Sequence, residues 1–458
     1  MAKERISLSE HFTYKKILQF TLPSILMMIF SSIYSVIDGF FVSNFSNGSS
    51  TPFAGLNFIY PFIAIIGAGG FLLGSGGSAL IGKYLGEKNT QKANNTFSMI
   101  ITVAIFSGIL FMLIGGFTIK PLAVAMGAEG ELLEYALLYG RICLVGTPFY
   151  MLQFMFQPLY IVAEKPHQGF FTIVAAGVTN IVLDFIFIVL CHLHVIGAAI
   201  ATSIGMAVGG IIPLIYFMRK NDSLLKIVKF KFDLADLGKL SVNGLSEYVG
   251  QVAFSIVGIL YNYQLLKYYG QNGVSAYGVL MYVGFIFIAI FIGYTTSISQ
   301  VTSYHFGAKN KRELHSILAK SLIILSITGI VMTGLAEALA YPISLAYVGY
   351  DKELLELTVG AFRIFALQFL VCGFSMYLSG FFTALNDGIT SATISFLRTL
   401  VFQILFIIFF PLWWGAKAIW WSIVMAEVVA SLLAFIFLFI REKKFGYFYK
   451  EKQDNSLS

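Results

Sequence analysis

Five ionisable side chains stand well inside long apolar runs: Asp38, Asp184, Glu247, Arg398 and Glu427, with Glu337 near the end of another run. A charge in hydrocarbon is costly, so each is a candidate for chemistry. Asn180 and Asp184 are spaced i, i+4 and share one helix face. With Asp38 and Thr202 they supply two carboxylates, an amide carbonyl and a hydroxyl, oxygens of the kind a hard cation prefers. Without a metal, two desolvated carboxylates would instead share a proton. Either way the set can couple an ion to a conformational change. A polar helix-packing network with a snorkelling Asp38 would use the same residues. Pro23 lies in the same run as Asp38, where a missing backbone hydrogen bond allows a bend. Glu247, Arg398 and Glu427 are candidates for a second ion site or a substrate counter-charge, and Arg398 could equally pair with one of the acids. Arg141 and Arg363 read as snorkelling or packing residues.

The elements that hold these groups must be membrane helices. Of 458 residues, 58% are hydrophobic and 12% charged, with a mean hydropathy of +0.82. So little charge cannot cover a water-exposed surface of this size. Apolar runs long enough to cross about 30 Å of hydrocarbon lie near 17–41, 55–80, 95–118, 136–161, 169–190, 195–217, 241–266, 275–303, 316–340, 358–383, 390–411 and 416–440. These predict an all-α polytopic membrane protein of twelve transmembrane helices. The first run reads as a retained helix, because it has full span length and no small-residue cleavage pattern. Of thirty Lys and Arg residues, 22 fall on the side of the N-terminus and 4 on the other. That asymmetry predicts that both termini are cytoplasmic. The net charge of +7 therefore serves topology rather than nucleic acid.

An internal repeat organises the runs. Ser78-Ala-Leu-Ile-Gly-Lys-Tyr-Leu-Gly86-Glu-Lys88-Asn89 corresponds to Ser299-Gln-Val-Thr-Ser-Tyr-His-Phe-Gly307-Ala-Lys309-Asn310. Arg141-Ile142 and Arg363-Ile364, and Ala198 to Ile204 and Lys417 to Ile423, match at nearly the same offset. Six helices separate equivalents, so two parallel six-helix bundles should be related by a pseudo-two-fold axis along the membrane normal, with a cavity between them. The expected division is an N-terminal lobe 1–217, a cytoplasmic linker 218–240, a C-terminal lobe 241–440 and a tail 441–458. Other signals carry less. The glycines from Gly67 to Gly77 lack the Gly-Lys-Ser/Thr of a phosphate loop. Cys143, Cys191 and Cys372 have no metal-like spacing. His192, His194 and His305 are expected in loops, which leaves no buried histidine for catalysis.

Taken together, the Gly-x-Lys-Asn turns after helices 2 and 8, Gly197-Ala-Ala-Ile-Ala-Thr202, Ile37-Asp38-Gly39-Phe40-Phe41-Val42 and Asn180-x-x-x-Asp184 resemble the multidrug and toxic compound extrusion (MATE) family. The resemblance extends over essentially the whole chain and is nearest to the DinF-like and MepA-like prokaryotic branch. It implies a non-enzymatic exporter of small, often cationic organic compounds, driven by H+ or Na+ and needing no cofactor. It also implies an N-lobe cation site of Asp38, Asn180, Asp184 and Thr202, with Tyr139 and either Gln157 or Gln153 nearby. Glu247 matches the helix 7 acid of the NorM-like branch, whereas 358–383 has no acid to match that branch's helix 10 residue. A monomer is expected. The nearest rival is a lipid-linked oligosaccharide flippase of the same superfamily, which usually carries extra helices and a cationic cavity. A major facilitator transporter would have a different loop after helix 2. No filter segment suggests a channel, and no nucleophile beside a base suggests an enzyme.

Overall fold

The computed structural model describes residues 6–44 and 51–448. Within the helices flanking the first gap, several side chains, including that of Asp38, lie outside the described residues. Among the described residues the chain is helical throughout its regular structure. The spans are α1 (Tyr14–Asn44), α2 (Thr51–Gly86), α3 (Thr90–Ala125), α4 (Gly130–Val162), α5 (Pro166–Leu190) and α6 (His194–Met218). They continue as α7 (234–269), α8 (271–307), α9 (Lys311–Val348), α10 (Lys352–Ala384), α11 (Gly388–Trp414) and α12 (Ala416–Phe445).

Helices α7 and α8 together occupy 74 residues, with no loop between them. A straight helix of that length would be about 110 Å long, several times the hydrocarbon thickness. Gly270, at φ 61° and ψ −150°, breaks it. That conformation is almost closed to residues with a Cβ. The stretch therefore makes two crossings, and the described residues contain the twelve spans that the apolar runs predict.

Helix ends extend beyond the apolar runs where polar side chains satisfy the first turn. Asn89 caps α3 by accepting from the Lys92 N–H at 3.0 Å, and Asn310 caps α9 by accepting from Glu313 at 3.1 Å. Asp233 caps α7 in the same way, accepting from Asp236 at 3.0 Å. α7 thus starts within the stretch 218–240 read from the sequence as linker. Its first two turns carry too much charge to register as membrane span. His305 differs from expectation more plainly: it is buried near the end of α8 rather than placed in a loop. The fifth helix of each repeat contains a π-helical turn, Phe185–Leu190 in α5 and Leu397–Val401 in α11.

The two repeats meet along glycines at the end that carries the lysine-rich connections, called here the basic end. A Cβ on Gly86 would stand 2.0 Å from the Tyr304 carbonyl oxygen, and one on Gly307 would stand 2.0 Å from that of Lys83. The two contacts are exchanged by a shift of 221 residues. A second pair obeys nearly the same relation. Gly244 of α7 lies against the backbone of Leu72 in α2, and Gly293 of α8 lies against Ser24 and Ile25 in α1. The repeat seen in the sequence is thus a pseudo-two-fold axis in space. Its closest contacts are backbone against backbone, the arrangement small residues allow where lipid supplies no hydrophobic drive.

Gly270→Val should destabilise the detergent-solubilised protein by about 1–3 kcal/mol, the cost of forcing a side chain into that backbone region. Gly258→Ala, at a helical position with open space around it, serves as control. Equal melting temperatures for the two variants would show that the α7–α8 turn does not depend on glycine.

Candidate functional site

Three of the four expected N-lobe residues come to one level. α5 carries Asn180 and Asp184, both buried, with Asp184 at 0% exposure. Helical rise places them about 21 and 27 Å from Pro166, and puts Thr202 of the antiparallel α6 about 24 Å from Met218. Packing confirms this register. A Cβ on Gly205 of α6 would stand 3.1 Å from the Asn180 Cβ, and one on Gly146 of α4 would stand 3.2 Å from the Ser203 Cα. Gly177 of α5 meets the rings of Phe30 and Tyr34 in α1, at 2.7 and 3.0 Å by the same measure. Missing side chains on α4, α5 and α6 thus let these helices and α1 pack closely at this level.

The polar atoms there are held away from water. The Asn180 amide and the Thr202 hydroxyl are buried and make no hydrogen bond among the described residues. A carboxylate as deep as that of Asp184 requires a proton, a cation or strong donors. The π turn begins directly after Asp184. Such turns are often found at functional sites because they shift side chains out of the regular helical register.

The second group of expected residues is spread along α4. Tyr139 is buried and lies about 8 Å beyond the Asp184 level by helical rise. Gln153 is buried toward the basic end, where a Cβ on Gly209 of α6 would stand 2.6 Å from its amide carbon. Gln157 is about one further turn away and does not join the Asp184 level. Tyr150 was not singled out by sequence. Its ring packs 4.7 Å from that of Phe154 and closes over Gly67 of α2. A tyrosine in an aromatic-rich membrane chain gives no signal of such a position, although the glycine run from Gly67 does mark the close approach. Pro23 lies within α1, which remains helical through it, immediately before the Ser24 and Ile25 contact with α8.

In the C-terminal half, Arg398 and Glu427 belong to each other. The Arg398 Nε donates to both Glu427 carboxylate oxygens, at 3.0 and 2.9 Å, and the Ser375 hydroxyl donates to Glu427 at 3.1 Å. The pair sits at the π turn of α11. Of the roles the sequence leaves open for Arg398, pairing with one acid is the one realised here. Arg363 similarly faces Glu337 at 3.8 Å. Glu247 makes no hydrogen bond or ion pair among the described residues. It lines a cavity of about 20 Å³ with Ser75, Thr295, Ser299, Gln300 and Thr383. The Thr295 and Ser299 hydroxyls and the Gln300 carbonyl are buried without hydrogen-bond partners among the described residues. That volume suits one water-sized particle, and the lining oxygens suit a small cation or a hydrated proton. Spacing could not have revealed this cavity, because its lining comes from α2, α7, α8 and α10.

A model of the MatE family matches residues 23–186 and 248–409, once in each repeat. The multidrug export protein MepA of Staphylococcus haemolyticus is 26% identical over 430 residues, covering 93% of both chains. MepA of Staphylococcus aureus strain NCTC 8325 is 23% identical over 93% of this chain and 94% of its own. Among solved structures, a MATE protein in complex with MaL6 superposes with a TM-score of 0.91 at 22% identity, covering 97% of this chain and all of that one. A MOP superfamily transporter from Pyrococcus furiosus gives 0.89 at 23% identity, covering 97% of this chain and 99% of the other.

Glu427→Ala should cost about 3–5 kcal/mol by leaving the Arg398 charge buried and unpaired, whereas Arg398→Met with Glu427→Met should recover most of that loss. A double-mutant cycle on thermal unfolding decides the matter. Simple additivity of the two single substitutions would refute the pairing.

Proposed function

Because this chain belongs to the MatE family, we propose that it exports small organic, predominantly cationic compounds across the cytoplasmic membrane by antiport with H+ or Na+. The observation that carries the reading is the balance of charge inside the helices. The deep guanidinium of Arg398 is neutralised by Glu427. Asp184, fully buried in one half, and Glu247, lining a polar cavity in the other, are two further acids inside the helices. An acidic interior attracts cations and disfavours the anionic cargo of a lipid-linked oligosaccharide flippase. The relatives' description as multidrug export proteins supports the same class of cargo.

In this reading Asp38, Asn180, Asp184 and Thr202 bind the coupling ion, Tyr139 flanks them, and Gln153 or Gln157 adjusts the approach from the basic end. Entry of a proton or cation removes the cost of a desolvated Asp184 carboxylate. The state with the ion bound then differs in free energy from the state without it, which is what shifts a two-state equilibrium. Pro23 gives α1 a place to bend in response. Glu247 serves the C-terminal half as a second ion or substrate group, with Arg398 and Glu427 beside it. The protein acts as a monomer without a cofactor, its lobes spanning 1–217 and 241–440. Both termini, the linker 218–240 and the tail 441–458 lie on the cytoplasmic side, following the distribution of Lys and Arg.

The test is ethidium efflux from proteoliposomes under separately imposed proton and sodium gradients. One gradient should drive export, and Asp184→Asn should reduce it to background while inserting normally. Full transport by Asp184→Asn would remove the N-lobe site, and failure of both gradients with folded protein would bring the flippase reading forward. Glu247→Gln should lower ethidium binding or transport, and unchanged values for both would return Glu247 to a structural role.

A further inference from the structure

Each repeat is preceded by a short non-helical segment, residues 6–13 before α1 and 219–233 before α7. Each segment crosses to the third helix of the other repeat. The linker docks on α3. Lys226 and Lys231 donate backbone N–H groups to the side chains of Asn94 and Asn95 at 3.0 and 2.8 Å, and Val228 donates to Ser98 Oγ at 2.8 Å. Just beyond, Asp236 at 2% exposure accepts the Tyr84 hydroxyl, which lies 2.9 Å from both of its oxygens, and faces Lys92 Nζ at 3.6 Å. The N-terminal segment docks on α9. The Phe12 N–H donates to Glu313 at 2.8 Å, His11 Nδ1 lies 2.6 Å from the same carboxylate, and Lys320 Nζ donates to the Phe12 carbonyl at 2.7 Å.

Lys92 and Glu313 are equivalent positions, 221 residues apart, as are Tyr84 and His305. The chemistry is inverted between them. On α3 a cationic position receives an incoming carboxylate, and on α9 a carboxylate receives incoming N–H donors. Both contacts bridge the repeats at the rim of the glycine seam. The seam itself is largely backbone contact, crossed by the hydrogen bond that the Ser303 hydroxyl donates to the Ala79 carbonyl, so few directional bonds in it resist separation once water enters. The rim contacts are the opposite case: each is a bond to a charged group, worth more than a neutral one, and its exposed partners regain water on release.

We infer that these two bridges, Asp236 with Tyr84 and Lys92, and Glu313 with His11 and Phe12, are paired latches that hold the basic end shut and must release for that end to open. The inference rests on the alternating-access reading, but its test does not require transport. Ser303 lies at the seam at 0% exposure. Ser303→Cys, in a background with Cys143, Cys191 and Cys372 replaced by serine, reports opening through its rate of modification by a charged thiol reagent. Asp236→Asn should raise that rate about tenfold, the shift expected for losing one bond to a charged group. Glu313→Gln should act similarly, and the two together should multiply. Tyr84→Phe removes part of the first latch with a smaller change, and adding it to Asp236→Asn should bring no further increase. If folded variants, judged by size-exclusion profile, label within about twofold of the parent, the latches do not exist. Should Asp236→Asn fail to fold, Tyr84→Phe and Glu313→Gln carry the same decision. Faster labelling of the variants beside a parent that exports no ethidium would keep the latches and discard the drug-export reading. Export by the parent with unchanged labelling of the variants would do the reverse.

Discussion

The structure depends on close approach of backbone to backbone between its two repeats. In lipid, apolar side chains gain little by leaving their surroundings, so helix association rests on packing and on the few polar contacts available. The exchange of Gly86 against Tyr304 for Gly307 against Lys83 places the pseudo-two-fold axis between α2 and α8. From there α2 reaches α7, and α8 reaches α1. A seam made this way is tight without being sticky. It excludes water by fit, and it can part at the loss of few side-chain hydrogen bonds, that of Ser303 to the Ala79 carbonyl among them, which suits two packings of similar free energy.

The N-lobe site inherits its geometry from the same device. Asn180, Thr202 and Asp184 come to one level because Gly146, Gly177 and Gly205 leave room for their neighbours. The Asn180 amide and the Thr202 hydroxyl are positioned by the packing of their helices, with no hydrogen bond of their own among the described residues. The C-terminal half is arranged differently. Its strongest charges, Arg398 and Glu427, cancel, and Glu247 is left facing hydroxyls and an amide across a very small space.

Much of this was legible in the sequence. Twelve spans follow from apolar length alone, since the 30 Å constraint is severe and the charges between runs mark their ends. The repeat followed from the turns ending at Asn89 and Asn310, because those asparagines are caps with a defined role. The i, i+4 spacing of Asn180 and Asp184 put them on one face. Pairings across helices were not legible. That Arg398 meets Glu427, or that Gln157 sits well below Asp184, depends on how helices are set against one another, and no local pattern encodes that. The position of His305 was misread because a helix end rich in polar residues looks like a loop when hydropathy is the only guide.

The turn at Gly270 has a mechanical consequence. Helix continues up to it on both sides, so α7 and α8 are joined with no slack. Two helices tied by a long loop can slide past each other, but two tied by a single residue behave as the prongs of a tuning fork. α7 carries Gly244 and α8 carries Gly293 and Gly307, so both prongs grip the opposite repeat. The Gly270 turn thus ties the contact of α7 with α2 to the contacts of α8 with α1 and α2.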